Sequence, residues 1–274
     1  LSIMKKKLSQ ALELTNLTLV SNGTIALNVA IRTLNLPKAS KILIPEIGYI
    51  AVANNVVDLG YIPVICPVDP ETLQIDIKSA ESIMSKGQIN AIIVIHNYGL
   101  VCDLNKLVKL CKKYKVFLIE DCAEAIGSKF DYTNVGNFGD CATFSFFANK
   151  LITSGEGGAV TFKNKNHIKK AKKLINQGIK SKFNMTTNSL GFNFRMSGIL
   201  ASVLVAQIKN INKLNAKKLK ILNYYKFYLN SEKIEFQSSH TKSSKIPWLI
   251  NIKFESKNKR DSCMEFLLEN NMKQ

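Results

Sequence analysis

Along the first two-thirds of the chain, short runs rich in Val, Ile, Leu and Phe alternate with segments whose apolar residues recur every three or four positions. Few architectures accept that alternation. Runs apolar on both faces belong in a parallel sheet, and parallel strands need a crossover between them, usually a helix. The expected strands are 17–20, 41–44, 62–66, 91–95, 116–120, 142–146 and 158–162. Helical spacing at 24–34, 50–59, 78–84, 104–114 and 167–176 supplies the crossovers. The fold class is therefore α/β with a mostly parallel central sheet.

From 197 to about 228 the apolar residues Leu200, Val203, Leu204, Ile208, Ile211 and Leu214 keep helical spacing, which predicts one long helix leaving the large domain. Beyond it, 234–237 and 248–254 read as strands and 261–269 as a helix, the start of a small C-terminal α+β domain. The expected division is thus 1–196 and 197–274. This last unit stops abruptly at Gln274 and the chain begins with Leu1, so we read it as part of a longer protein, incomplete at both ends. No internal repeat is present, and the polar loop 180–189 carries no chemical reading.

At 274 residues and 46% hydrophobic content, the chain can fill such a core. No run approaches the roughly 20 apolar residues of a membrane span. The opening Leu1-Ser2-Ile3-Met4-Lys5 turns polar too soon for a signal peptide, so a cytoplasmic protein with no membrane partner is expected. The six cysteines include no C-x-x-C pair and read as buried free thiols. His96, His167 and His240 lack ligand spacing, so no metal is expected. The net charge of +18 raises nucleic acid as a partner, but the lysines are spread along the chain without interleaved aromatics. We expect no nucleic acid, and a field favourable to small anionic substrates.

Chemistry is concentrated in three places. Ser21-Asn22-Gly23-Thr24 follows a strand and opens a helix, where free backbone N–H groups and the helix dipole favour a phosphate; the same residues also serve as ordinary N-cap and turn chemistry. In Ile119-Glu120-Asp121-Cys122 a buried strand ends in carboxylates, and alternation turns Glu120 away from Asp121. Ligands of open α/β sheets bind at the carboxyl ends of strands, so Asp121 faces a site or else caps the following segment. Finally, Lys150 follows the aromatic strand 142–146 and precedes the glycine-rich turn Gly155-Glu156-Gly157-Gly158. Burial lowers a lysine's pKa, and a neutral amine attacks an aldehyde. The Ser145 hydroxyl is placed to donate to a phosphate.

The strings Ser-Asn-Gly-Thr-x-Ala-Leu at 21–27, Glu-Asp-x-Ala-Glu-Ala-x-Gly at 120–127 and Gly-x-x-Gly-Asp at 136–140 occur in order. Phe-Ser-Phe-Phe-x-Asn-Lys at 144–150, Gly-Glu-Gly-Gly at 155–158 and Gly-Phe-Asn-Phe-Arg-Met at 191–196 follow. Together they closely resemble the sugar-nucleotide aminotransferases of the DegT/DnrJ/StrS type, over everything from about Leu17 onward.

That resemblance implies a fold-type I PLP-dependent transferase, with 1–196 as the domain that binds pyridoxal 5′-phosphate (PLP). It makes Lys150 the lysine that bonds the cofactor and Asp121 the partner of its ring nitrogen. Tyr49 would stack on the ring. Glu124 would lie beside the ring hydroxyl, a choice typical of the perosamine-synthase-like branch. Gly23, Thr24 and Ser145 would hold the phosphate. Asn193 would reach the phosphate of a neighbouring subunit, which implies a homodimer; Arg195 either meets a structural acidic partner or helps receive an anionic substrate. His96 reads as a packed strand-end histidine, with a place near the sugar pocket as the other reading.

The implied reaction moves an amino group from L-glutamate to a nucleotide-linked 4-keto-6-deoxy sugar for surface polysaccharide or glycoconjugate synthesis, GDP-linked rather than dTDP- or UDP-linked. The alternatives are a related PLP-dependent sugar dehydratase, which has histidine where this chain has Lys150, and a non-catalytic homologue that binds PLP or a sugar nucleotide. Segments lining the family's substrate pocket are expected before Leu1 and after Gln274.

Overall fold

The computed structural model describes residues 1–179, 186–187, 189–230 and 234–272, so the loop 180–189 lies largely outside the described residues. In chain order the elements are α1 (Ser2–Leu12), β1 (Leu17–Val20), α2 (Gly23–Leu34), β2 (Lys41–Pro45), α3 (Ala51–Asp58), β3 (Ile62–Cys66) and α4 (Ile77–Ser85). Next come β4 (Ile89–Ile95), α5 (Leu104–Tyr114), β5 (Phe117–Asp121), β6 (Lys129–Phe130), β7 (Thr133–Asn134), β8 (Cys141–Ser145), β9 (Gly158–Phe162) and α6 (Lys165–Leu174). The chain continues through α7 (Gly198–Ile208), α8 (Ile211–Tyr228), β10 (Ile234–Phe236), β11 (Ser243–Ser244), β12 (Ile252–Phe254) and α9 (Lys257–Glu269).

The main sheet is seven-stranded, in the order β1-β9-β8-β5-β4-β2-β3. Pairings from β8 through β3 are parallel, and β9 is antiparallel to both β8 and β1, so β9 alone is reversed. Strand alternation sends Leu43, Ile92 and Val94 to one face and Ile42, Ile93 and Ile95 to the other. The first face packs on α1, α4, α5 and α7, the second on α2, α3 and α6. Each fully buried Leu or Ile stabilises this sandwich by roughly 1.5–3 kcal/mol. Side-chain caps start the helices: Asn22 accepts from the Ile25 N–H, Asp76 from Ser79, Asp103 from Lys106 and Ser197 from Leu200.

Two features depart from the expected pattern. Helix α1 was hidden by Lys5-Lys6-Lys7, yet Met4, Leu8 and Leu12 form a buried i, i+4, i+8 stripe that packs with Leu204 of α7. The single long helix expected over 197–228 is instead two, broken at Lys209 and Asn210. The Asn210 side chain donates to the Ala206 carbonyl (3.3 Å), competing with the helical ladder at the break. Toward the C-terminus, β10 and β12 form an antiparallel pair, with α9 against β12.

Glu120 points away from Asp121, as alternation requires, and is fully buried. Its carboxylate accepts from the backbone N–H groups of Gly136 (2.9 Å), Phe138 (2.8 Å) and Gly139 (2.7 Å), and meets His96 Nε2 at 3.2 Å. These bonds hold its pKa below the ordinary glutamate value against the opposing effect of burial. The glycines of the 136–140 string thus have a physical reason: a Cβ on Gly139 would lie 2.7 Å from the Leu118 carbonyl oxygen. His96 is accordingly a packed histidine. Spacing alone had set it apart from other ligand types, but the fold brings it beside Glu120 and Cys122, where the carboxylate is already committed to these donors.

Candidate active site

The carboxyl ends of β4, β5 and β8, with the segments that follow β1 and β2, open on one cavity of about 310 Å³. Gly23, Thr24, Tyr49, Asp121, Glu124, Ser145 and Lys150 all line it. Residues scattered over nearly half the sequence therefore meet at the sheet edge where open α/β sheets bind ligands.

One end of the cavity is a polar cradle. Asn22 caps α2 with its side chain, so the backbone N–H groups of Gly23 and Thr24 remain at the positive end of the helix dipole. The Ser145 hydroxyl lies against Gly23, where an added Cβ would sit 2.8 Å from Ser145 Cβ and 3.0 Å from Oγ. Gly158 brings β9 equally close: a Cβ there would fall 2.4 Å from the Asn22 carbonyl oxygen. Side chains at these glycines would fill the space next to the N–H groups.

The other end holds ionisable groups. Asp121 is buried, and its Oδ1 accepts from the Ala123 N–H (3.1 Å) and the Thr143 hydroxyl (3.3 Å). Both bonds fall on Oδ1, which leaves Oδ2 for a donor in the cavity. Burial raises the Asp121 pKa, opposed by the Ala123 bond and by Lys150. Lys150 Nζ lies 3.7 Å from Glu124 Oε1, an ion pair longer than a hydrogen bond, with both side chains little exposed. Burial pushes the Lys150 pKa down while Glu124 and Asp121 push it up; burial likewise raises Glu124, whose Oε2 accepts from the Tyr98 N–H (2.8 Å). Desolvation thus favours the neutral amine on Lys150, the form that attacks a carbonyl carbon.

Tyr49 stands at the cavity wall and is 70% exposed. Asn193 is not at this cavity. It lies on the surface, paired in an isolated bridge with Asn176, and its Oδ1 accepts from Arg195 (3.4 Å). Trp248 is a residue the sequence reading missed: placed there at the start of a strand, it instead lines the cavity with its ring centroid 3.7 Å from Lys150 Nζ. Its being the chain's one tryptophan was the available signal.

A model of the DegT/DnrJ/EryC1/StrS aminotransferase family matches residues 4–274. The chain belongs to this family. It is 34% identical to the GDP-perosamine synthase of Vibrio cholerae over 265 residues, which is 96% of this chain and 72% of that protein. With the GDP-perosamine synthase of Escherichia coli O157:H7 it shares 37% identity over 214 residues, 78% of this chain but 58% of that protein. Among solved structures, Helicobacter pylori PseC, an aminotransferase involved in the biosynthesis of pseudoaminic acid, superposes with a TM-score of 0.90 at 25% identity, covering 98% of this chain and 73% of PseC. The fold is that of the fold-type I PLP-dependent transferases.

PLP is the cofactor of this aminotransferase family, and the residues present fit it. The cradle at α2 suits a phosphate dianion, the free Oδ2 of Asp121 suits a protonated ring nitrogen, and Lys150 suits an aldehyde. Among the described residues no helix is long and apolar enough to cross a membrane.

Proposed function

We propose that the protein of which this chain is part transfers an amino group from L-glutamate to a nucleotide-linked 4-keto-6-deoxy sugar, supplying an amino sugar for surface polysaccharide or glycoconjugate synthesis in the cytoplasm. The observation that carries this reading is the low-exposure Lys150 amine in one cavity with Asp121, Glu124 and the α2 cradle. The sugar class draws its support from the relatives named GDP-perosamine synthase, and a GDP-linked sugar is favoured for the same reason. Residues 1–196 would form the cofactor-binding domain, and 197–274 the connecting helices with part of a smaller domain.

PLP supplies an aldehyde carbon that takes up an amino group and a ring that withdraws electrons from the neighbouring carbon. Gly23 and Thr24 N–H groups with the Ser145 hydroxyl would hold its phosphate, and Tyr49 would cover the ring. Asp121 Oδ2 would keep a proton on the ring nitrogen. Glu124 sits beside Lys150 and would serve the ring hydroxyl. Lys150 would anchor the cofactor and, as a free amine, would be the base that takes the proton from the donor's α-carbon. On the keto-sugar the same amine moves a proton in the opposite sense. This requires a lysine, which separates the proposal from the dehydratase reading.

A panel of nucleotide-linked 4-keto and 3-keto sugars, assayed with L-glutamate by release of 2-oxoglutarate, tests it. Turnover is expected with 4-keto-6-deoxy sugars and fastest with the GDP-linked one. Turnover confined to 3-keto sugars, or to simple amino and keto acids, refutes the substrate assignment.

The surface position of Asn193 supports a shared site, in which it reaches the phosphate bound by a second copy of the chain. Mixing inactive Lys150→Ala chains with inactive Asn193→Ala chains is then expected to restore activity, up to about a quarter of the wild-type level per chain if one intact site forms in each of half the dimers. A fully active monomer by sedimentation contradicts the homodimer.

A further inference from the structure

We propose that Trp248 is a positioning residue for Lys150: its indole face and the Glu124 carboxylate form a seat that holds the lysine ammonium whenever the amine is not bonded to the cofactor. The proposal rests on Lys150 being the cofactor lysine. Its geometry does not.

Lys150 Nζ lies 3.7 Å from the indole centroid and 3.7 Å from Glu124 Oε1. An ammonium within about 6 Å of an aromatic face is attracted by the ring quadrupole, most strongly where water is thin. The ring is held by one bond and its backbone by two. Its Nε1–H donates to the carbonyl of Asn149, the residue before Lys150 (2.9 Å), and its backbone N–H donates to the carbonyl of Tyr98 (3.1 Å). Its own carbonyl accepts from Lys218 Nζ (2.9 Å). The Tyr98 N–H in turn donates to Glu124. Lysine, indole, Tyr98 backbone and Glu124 thus close a loop of contacts around one ammonium.

This approach is built into the backbone. Gly99 has φ +90, and a Cβ there would lie 1.9 Å from the Ile246 carbonyl oxygen, so only glycine lets the Trp248 segment come this near. An indole face suits the task because it attracts the charged amine yet accepts no proton from it. The amine can therefore leave in its neutral form. Glu124 and Asp121 also raise the proton affinity of Lys150, burial opposes them, and Glu156 lines the same cavity. Trp248 adds to the first group.

The chain's sole tryptophan makes the test direct. In cofactor-free protein, Trp248 fluorescence is expected to change in one step with pH, with a midpoint below the ordinary lysine value, and Lys150→Met is expected to abolish that step while leaving any tyrosinate quenching at higher pH. Independently, the pH dependence of Lys150 acetylation, read by mass spectrometry, is expected to move down by about one pH unit in Trp248→Leu, a roughly tenfold larger neutral fraction at a given lower pH. Trp248→Phe should retain most of the wild-type midpoint. A fluorescence step that survives in Lys150→Met, or an unchanged acetylation midpoint in folded Trp248→Leu, overturns the proposal; if Trp248→Leu does not fold, the fluorescence comparison decides. Failure of PLP and borohydride to label wild-type Lys150 would instead remove the cofactor reading and leave the seat standing.

Discussion

Replacing Lys150 by alanine is expected to lower transamination by at least about 10⁴-fold, the upper end of what a positioned acid–base group contributes, because in the proposed role the same amine also anchors the cofactor. Borohydride trapping of PLP onto this position is lost with it. The fold should survive. Glu124 keeps its bond from the Tyr98 N–H when the lysine is gone, and Asp121 keeps both of its bonds. Burial lowers the folded-state pKa of Lys150, so the unfolded chain binds more protons between the two values, and stability from this group rises with pH across that window. Below the window the buried ammonium costs stability that alanine does not. A cofactor-free Lys150→Ala chain should therefore melt at or slightly above the wild-type temperature at neutral pH. In the wild type the same shift makes trapping increase with pH, with a midpoint below that of surface lysines. Full turnover in the alanine variant would refute the assignment of the whole site.

The sheet strands were legible because a strand covered on both faces leaves a continuous apolar run, as Ile89–Ile95 does at the centre of the sheet, while Leu17–Val20, Ile62–Cys66 and Gly158–Phe162 occupy the expected positions although β9 runs antiparallel and the edge strand β3 is partly exposed. The cavity was legible for a related reason: Asp121, Ser145 and the α2 cradle all lie at carboxyl ends of strands or just beyond them. What escaped has physical causes. The stripe of α1 was masked by three consecutive lysines, of which Lys6 is exposed and Lys5 and Lys7 are half-buried beside it. The break at Asn210 was masked because apolar spacing continues through it from Ile208 to Ile211. Trp248 could not be found locally at all, since it is 99 residues from its partner Asn149 and its place is set by the close approach at Gly99. The donors to Glu120 are likewise 16 to 24 residues away, in a loop and a neighbouring strand end whose geometry no local pattern specifies.

Asp121→Asn is expected to keep PLP bound and to slow transamination by about 10²- to 10⁴-fold, the equivalent of the roughly 3–5 kcal/mol lost when one partner of a buried charge pair is removed. An amide cannot hold the ring nitrogen protonated, so the ring withdraws electrons poorly while the phosphate cradle, made by other residues, is untouched. The substitution also separates a catalytic carboxylate from a mere cap. Asparagine has an oxygen in the place of Oδ1 and can still accept from Ala123 and Thr143, so a structural role alone predicts little change in either rate or stability. Burial raises the folded-state pKa of Asp121, so the folded chain binds more protons than the unfolded one between the ordinary aspartate value and the raised one, and stability from this group falls as pH rises through that window. Above it the buried carboxylate carries its full penalty, which asparagine lacks. Cofactor-free Asp121→Asn should therefore be at least as stable as the wild type at neutral pH, whereas bound PLP should raise the melting temperature of the wild type by more, because only the wild type gains the charge pair. Unchanged kinetics in the variant, with an equal rise in melting temperature on adding PLP, would reduce Asp121 to a cap on the turn at Ala123.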